Sequence, residues 1–338
     1  MFAYVVRRLF VGTIMLIAMS MITFVLFFAS PVDPAQFACG KNCSLAQRAS
    51  VRKGLGFDKP IYVQWKDFAV GIFEGRDYPA DKKLAASHPE LIAHCPAPCL
   101  GYSKVNLETV TQEFKQRIPV SFSLAMAAFI MWIVGGVALG AIAALTKGSI
   151  IDRGLVGISL VFYAFPTFFV GLFLLKFLAI KWGIFPVPNY TSIADGGLWT
   201  WFVNLLLPGL TLALFYMAGY VRMTRAFVLE SMSEDYLRTA KAKGLPPRKI
   251  LFKHTMRAAL TPLVTMAGLD LAGLLGGAII TESVFNYDGL GKLAVDSVQT
   301  FDLPTVVGLV LLLGAFVILA NIIVDILYAF IDPRVRVG

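Results

Sequence analysis

The sequence predicts an all-α integral membrane protein with six transmembrane helices, both termini on the cytoplasmic side, and a large external insertion between helices 1 and 2. Three observations predict it. Apolar residues make up 57% of the 338 residues and charged residues only 15%, against about 45–50% and about 25% in soluble domains. Five uncharged apolar runs, 9–30, 120–146, 154–175, 196–221 and 303–324, each reach the roughly 20 residues that cross a bilayer, and a sixth, 258–281, is interrupted only by Asp270. Basic residues sort by side: with the N-terminus inside, 15 of the 30 Lys and Arg fall in 1–8, 147–153, 222–257 and 331–338. Only Lys176, Lys181 and Lys292 fall in the two short external loops. That is the positive-inside bias, so the net charge of +9 reflects topology rather than nucleic-acid binding.

Each run must be helical, because in lipid every backbone polar group has to be satisfied within the segment or in a closed barrel. A barrel would show period-2 alternation, and these runs show none. Residues 1–30 read as a short cytoplasmic tail and an uncleaved first span. Arg7 and Arg8 resemble the start of a signal peptide, but the apolar stretch is too long and Pro31 follows without a small-residue cleavage site. Residues 31–118 form the extracytoplasmic insertion, too small for a substantial core of its own. Residues 119–331 carry helices 2–6 and the basic cytoplasmic loop 222–257. Residues 332–338 are a cytoplasmic tail.

All four cysteines, Cys39, Cys43, Cys95 and Cys99, fall in the insertion as two C-x3-C pairs. An even number in an oxidising location reads as disulfides; a metal site with His94 and His88 is the alternative. Crossed bridges would close longer loops and gain more chain entropy, but they need all four Cα atoms clustered. Local pairing, Cys39–Cys43 and Cys95–Cys99, is expected.

No catalytic signature is present: there is no H-E-x-x-H, G-x-S-x-G or Walker-type loop. The run 289–294 mimics G-x-G-x-x-A but lies in an external loop without βαβ context. No cofactor, resident metal or enzymatic activity is expected of this chain.

The most informative segment is cytoplasmic. Ser231 and Glu234 stand as a capping box, Glu234 and Asp235 occupy the first turn, and Lys241 and Lys243 the last, matching the helix dipole. Gly244 supplies a left-handed stop, and Pro246 and Pro247 forbid continuation. The spacing predicts a short helix over 232–243 with Tyr236 and Ala240 on one face. Such a helix either docks on another protein surface or rests on anionic headgroups.

The run 235–244 (DYLRTAKAKG) followed by 254–262 (HTMRAALTP) resembles the cytoplasmic loop of the oligopeptide/dipeptide/nickel family of ABC-importer permeases. Ala240 and Gly244 fall where the shared "EAA…G" loop has its second Ala and its Gly, with Arg238 and Thr239 in place of Glu-Ala as is usual in the peptide branch. Further blocks agree in order: Arg7-Arg8-Leu9, Pro31-Val32-Asp33-Pro34, Leu55-Gly56, Arg117-Ile118-Pro119, the run 276–285, Gly289-Leu290-Gly291, Asp302-Leu303-Pro304 and Asp332-Pro333-Arg334. The stretch 70–102 is not typical of the family.

The resemblance implies a prokaryotic cell-membrane permease that pairs with a second, related permease. Two cytoplasmic ATPases drive such a pair, and an extracytoplasmic binding protein feeds it. Peptide is the expected cargo and nickel the alternative. It also implies that Glu234, Asp235, Tyr236, Arg238, Thr239, Ala240, Lys241 and Gly244 couple the ATPase to the spans. A mid-span charge costs about 2.5–3.5 kcal/mol on insertion scales, so Asp270 should face protein or a water-filled cavity, as a translocation-path residue that attracts peptide amino termini or as a structural acceptor for backbone or a partner's Arg. Glu282 at the outer end of that span is a gate on the path or an interfacial anchor. A passive channel would need a filter or a ring of like charge instead.

Overall fold

The computed structural model describes residues 2–29, 34–39, 43–79 and 92–331. Residue 1 and the segments 30–33, 40–42, 80–91 and 332–338, with His88 and part of the family-like runs, lie outside the described residues. By packing the chain divides into two units, Met1–Pro119 with Gly289–Ile318, and Val120–Asp288 with Leu319–Gly338.

Four described helices are long and apolar enough to cross a membrane: Val6–Leu26, Val110–Leu145, Ile193–Ser233 and Leu303–Ile323. The expected third span is not one rod. Ile150–Ala164 and Thr167–Lys181 meet at a 105° bend and count as a fifth crossing only if taken together. The break falls at Phe165, extended at ψ 137°, and Pro166. A residue before proline is pushed out of helical geometry, and Pro166 then starts the second piece by accepting from the Phe169 and Val170 N–H groups. The expected fifth span is helical over Met256–Gly277 and Ile279–Val284.

In the first unit the insertion builds a small cluster of its own around Tyr78, Cys95 and Cys99, but shares its larger core with spanning helices. Its helix Ile61–Glu74 lays Phe68 against Phe24 of the first helix, ring centroids 5.5 Å apart, and Trp65 donates to the Ser20 hydroxyl at 3.0 Å. Leu303 and Val307 complete the cluster. Two short antiparallel pairs follow, Arg76–Tyr78 with Ala93–Cys95 and Tyr102–Ser103 with Glu108–Thr109. Cys39 pairs with Cys43 and Cys95 with Cys99, both at Cα–Cα 5.5 Å, the expected local connectivity. His94 turns to Asp77 across the strands, Nδ1 to Oδ1 2.5 Å. Among the described residues of the metal alternative, Cys95 is thus held in a disulfide and His94 on Asp77. Deeper in the unit Asp302 accepts from the Ser103 hydroxyl at 2.5 Å and from Thr305 at 2.8 Å. Burial raises its carboxyl above the ordinary range while these hydroxyls pull it back.

The second unit is a bundle around Trp132, Leu124, Leu207, Tyr220 and Tyr287. Small residues set its closest approach. A Cβ on Gly136 would stand 2.6 Å from the Tyr220 Cβ, and one on Gly140 2.6 Å from the Val221 carbonyl. This small-xxx-small stripe lets helices touch at the backbone. Pro208 stands inside the helix Ile193–Ser233 and deprives the Asn204 carbonyl of its i+4 donor. The Tyr287 hydroxyl supplies the missing bond at 2.8 Å. Burial raises the Tyr287 pKa from its ordinary value, so the hydroxyl keeps its proton and remains the donor.

Candidate functional site

The cytoplasmic helix forms over Asp235–Ala242, not 232–243. The expected capping box is absent. Ser231 belongs to the last turn of Ile193–Ser233 and is buried, and its carbonyl accepts from the Glu234 N–H at 3.3 Å. Glu234 is extended at ψ 141° and separates the two helices. Ser231 fits the capping pattern, but packing of the long helix keeps it helical. The stop is as expected. Gly244 sits at φ +73°, Lys243 donates to Thr239 at 3.0 Å and Leu245 to Ala240 at 3.3 Å, the wrap-back of a left-handed cap.

The two faces of this helix are sharply divided. Leu237 and Ala240 are buried against Ile250 and Leu245. Tyr236 is 46% exposed, Arg238 and Thr239 are exposed, and Arg238 reaches Asp235 at 3.3 Å. Ala240 therefore does not share an outward face with Tyr236, as the i, i+4 spacing suggested. It is small because the chain's own Ile250 lies over it. The side chain of Lys241 lies outside the described residues.

What holds the helix to the bundle lies on either side of it. After Pro247–Lys249 the backbone widens into a π-helical turn, Ile250–Thr255, that feeds Met256–Gly277. Before it, Arg225 in Ile193–Ser233 grips Asp152 with two bonds, Nε to Oδ1 at 2.6 Å and Nη2 to Oδ2 at 2.8 Å. Asp152 also accepts from the Gly148 N–H at 2.9 Å, and Ser149 caps the same turn. A bidentate, charge-assisted pair is among the strongest polar contacts a protein makes. The Ser149/Asp152 spacing announces a helix start, but nothing local announces a partner 73 residues away.

Of the two path candidates, Asp270 is half-buried and accepts from the Tyr220 hydroxyl at 2.6 Å. Beside it Trp132 stacks on Tyr216 at 4.5 Å. Glu282 is fully buried and accepts from the Ser121 hydroxyl at 2.6 Å, so it is not exposed at an interface as an anchor would be.

Comparisons with known proteins agree along the chain. Residues 136–337 match the family described as binding-protein-dependent transport system inner membrane component, and residues 1–125 match the N-terminal model of the same systems. A probable peptide ABC transporter permease protein, y4tP, of Sinorhizobium fredii is 35% identical over 334 residues, 98% of this chain and 99% of that one. The dipeptide transport system permease protein DppB of Escherichia coli is 31% identical, covering 99% of each chain. The di/tripeptide transport system permease protein DppB of Pseudomonas aeruginosa is 32% identical, again over 99% of each. Among solved structures, the inward-facing MetNI methionine ABC transporter aligns with a TM-score of 0.51 at 18% identity, over 66% of this chain and 97% of that one, a likeness of fold alone. With full-length relatives above 30% identity and a family model over most of its length, the chain belongs to the inner membrane components of binding-protein-dependent transport systems.

Proposed function

We propose that the chain is one of two related permease subunits of an ATP-driven peptide importer, with six spans and both termini inside. The insertion faces outward toward an extracytoplasmic binding protein, two cytoplasmic ATPases drive the pair, and one of them seats the 235–242 helix in a surface groove. The observation that carries the reading is that helix's geometry. It is short, stopped by Gly244, anchored through Leu237 and Ala240, and it offers Tyr236, Arg238 and Thr239 outward. An anchored inner face lets a push on the outer face reach the spans through Ile250–Thr255 and the Asp152–Arg225 grip. The peptide named in the relatives' descriptions is the proposed cargo. Asp270, a half-buried carboxylate within a span, is the proposed contact for a peptide amino terminus, and Glu282 a gate residue. Nickel is the competing cargo.

The test is Tyr236→Glu in the assembled transporter. Membrane insertion and subunit stoichiometry should stay normal, while stimulation of ATP hydrolysis by cargo-loaded binding protein falls at least tenfold, the loss expected when an interface aromatic worth about 2 kcal/mol is replaced by a charge. Unchanged stimulation would remove the helix from the coupling role. Energised uptake of nickel without uptake of peptide would leave the coupling role and replace the cargo.

A further inference from the structure

We propose that the groove behind the 235–242 helix binds one anionic phospholipid of the cytoplasmic leaflet, with an acyl chain in the groove and the phosphate on Arg248. The groove measures about 550 Å³. Its apolar walls are Leu145, Met232, Leu237, Leu245, Ile250 and Leu251, and among the described residues Arg248 is the only charged one lining it. The remaining polar lining group, the Thr255 hydroxyl, is spent on the Ile250 carbonyl at 3.3 Å, so the interior offers a ligand nothing but hydrocarbon.

Three features select a lipid. The first is level: Leu145 is the last residue of Val110–Leu145 and closes the apolar run 120–146. The groove therefore opens at the cytoplasmic end of a span, and headgroups lie at that height. The second is side. Leu237 lines the groove, and Thr239, two residues on, points about 200° away around the helix. The groove thus turns away from the face proposed for the ATPase. The third is charge. No Asp or Glu occurs between Asp235 and Asp270, while Arg238, Lys241, Lys243, Arg248, Lys249, Lys253 and Arg257 all fall in that interval. Arg248, Lys249 and Lys253 are exposed, and Phe252, 72% exposed between them, is an apolar ring of the kind that interfacial amphipathic segments bury at the headgroup/acyl boundary. An acidic protein surface would match the charge but not fill a hydrocarbon trough. A phospholipid carries both parts, and basic pockets at the cytoplasmic ends of spans recognise anionic headgroups.

The assembled transporter is reconstituted into nanodiscs of phosphatidylcholine mixed with phosphatidylglycerol, re-extracted, and examined by native mass spectrometry. The wild type should retain one phosphatidylglycerol in preference to phosphatidylcholine. Arg248→Gln should lower that retention about fivefold, the effect of one basic residue at a charged surface, and leave phosphatidylcholine unchanged. Leu245→Trp, which fills the trough, should abolish retention of both. Should that variant fail to assemble, Leu251→Cys provides the second reading: its alkylation should be slower in nanodiscs containing phosphatidylglycerol than in phosphatidylcholine alone. Equal retention of the two lipids by the wild type, undiminished phosphatidylglycerol in Arg248→Gln, or equal alkylation in both nanodiscs would overturn the proposal. So would capture of an ATPase subunit by a photo-cross-linker at residue 251, which would assign the groove to that interface.

Discussion

Pro166 and Pro208 both stand in long apolar runs with no charge near them, and the chain treats them in opposite ways. At Pro166 the helix breaks and the two pieces diverge by 105°. At Pro208 the helix runs through without a break, from beyond the kink at Gly197 to Ser233. Proline imposes the same costs at both places, one lost donor and one steric clash with the preceding turn. The difference is what lies opposite. Around Pro208 the freed Asn204 carbonyl meets the Tyr287 hydroxyl. Beyond Pro166, Gly171 brings its segment against Thr211 and Val284, where an added Cβ would be 3.2 and 3.3 Å from their methyl groups. One site is repaired in place; the other is turned and held by packing. A proline in a span marks a choice that its neighbours in space make.

Three experiments probe this contrast. The largest effect is expected from Gly171→Leu, which drives a branched side chain into Thr211 and Val284. Overpacking of this kind costs about 3 kcal/mol at its upper end, and the melting temperature of the purified complex should drop accordingly. Next is Tyr287→Phe, which leaves the Asn204 carbonyl without its donor in a buried site and should cost about 2 kcal/mol. Combined with Pro208→Ala, which returns an N–H to the helix, most of that loss should vanish. A double-mutant cycle should show coupling of about 1 kcal/mol or more, whereas additive losses would mean that the hydroxyl and the proline act separately. The smallest effect is expected at Pro166→Ala. Tertiary packing holds the bend, so spin-label distances across it should stay at wild-type values, and stability should fall by only about 0.5–1 kcal/mol through the unfolded chain. A straightened helix would place the cause of the bend in the proline itself.

The cytoplasmic helix shows how far local signals reach. Its stop was legible because Gly244 and the prolines after it act within one turn. Its start was not: Ser231 and Glu234 have the capping spacing, but Ser231 is drawn into the long helix by burial that no local pattern records. The i, i+4 spacing of Tyr236 and Ala240 located a surface without saying which neighbour would cover it, and Ile250 covers Ala240. The insertion behaves similarly. Its disulfides are local because C-x3-C needs only one turn. Its larger core, by contrast, joins Phe57 and Phe68 to Phe24 and to Leu303 and Val307, far along the chain in both directions.

The sequence by itself determined the apolar helices, the membrane as their solvent and the short helix stopped at Gly244. These follow from composition and from contacts a few residues apart, whose energies are set before the chain folds. Only the tertiary structure decided which proline bends its helix, which face of 235–242 is anchored, and that Asp152 answers Arg225 and Tyr220 answers Asp270. Such bonds form between groups 50 or 73 residues apart, and their strength depends on burial and aim, which exist only once the helices have packed.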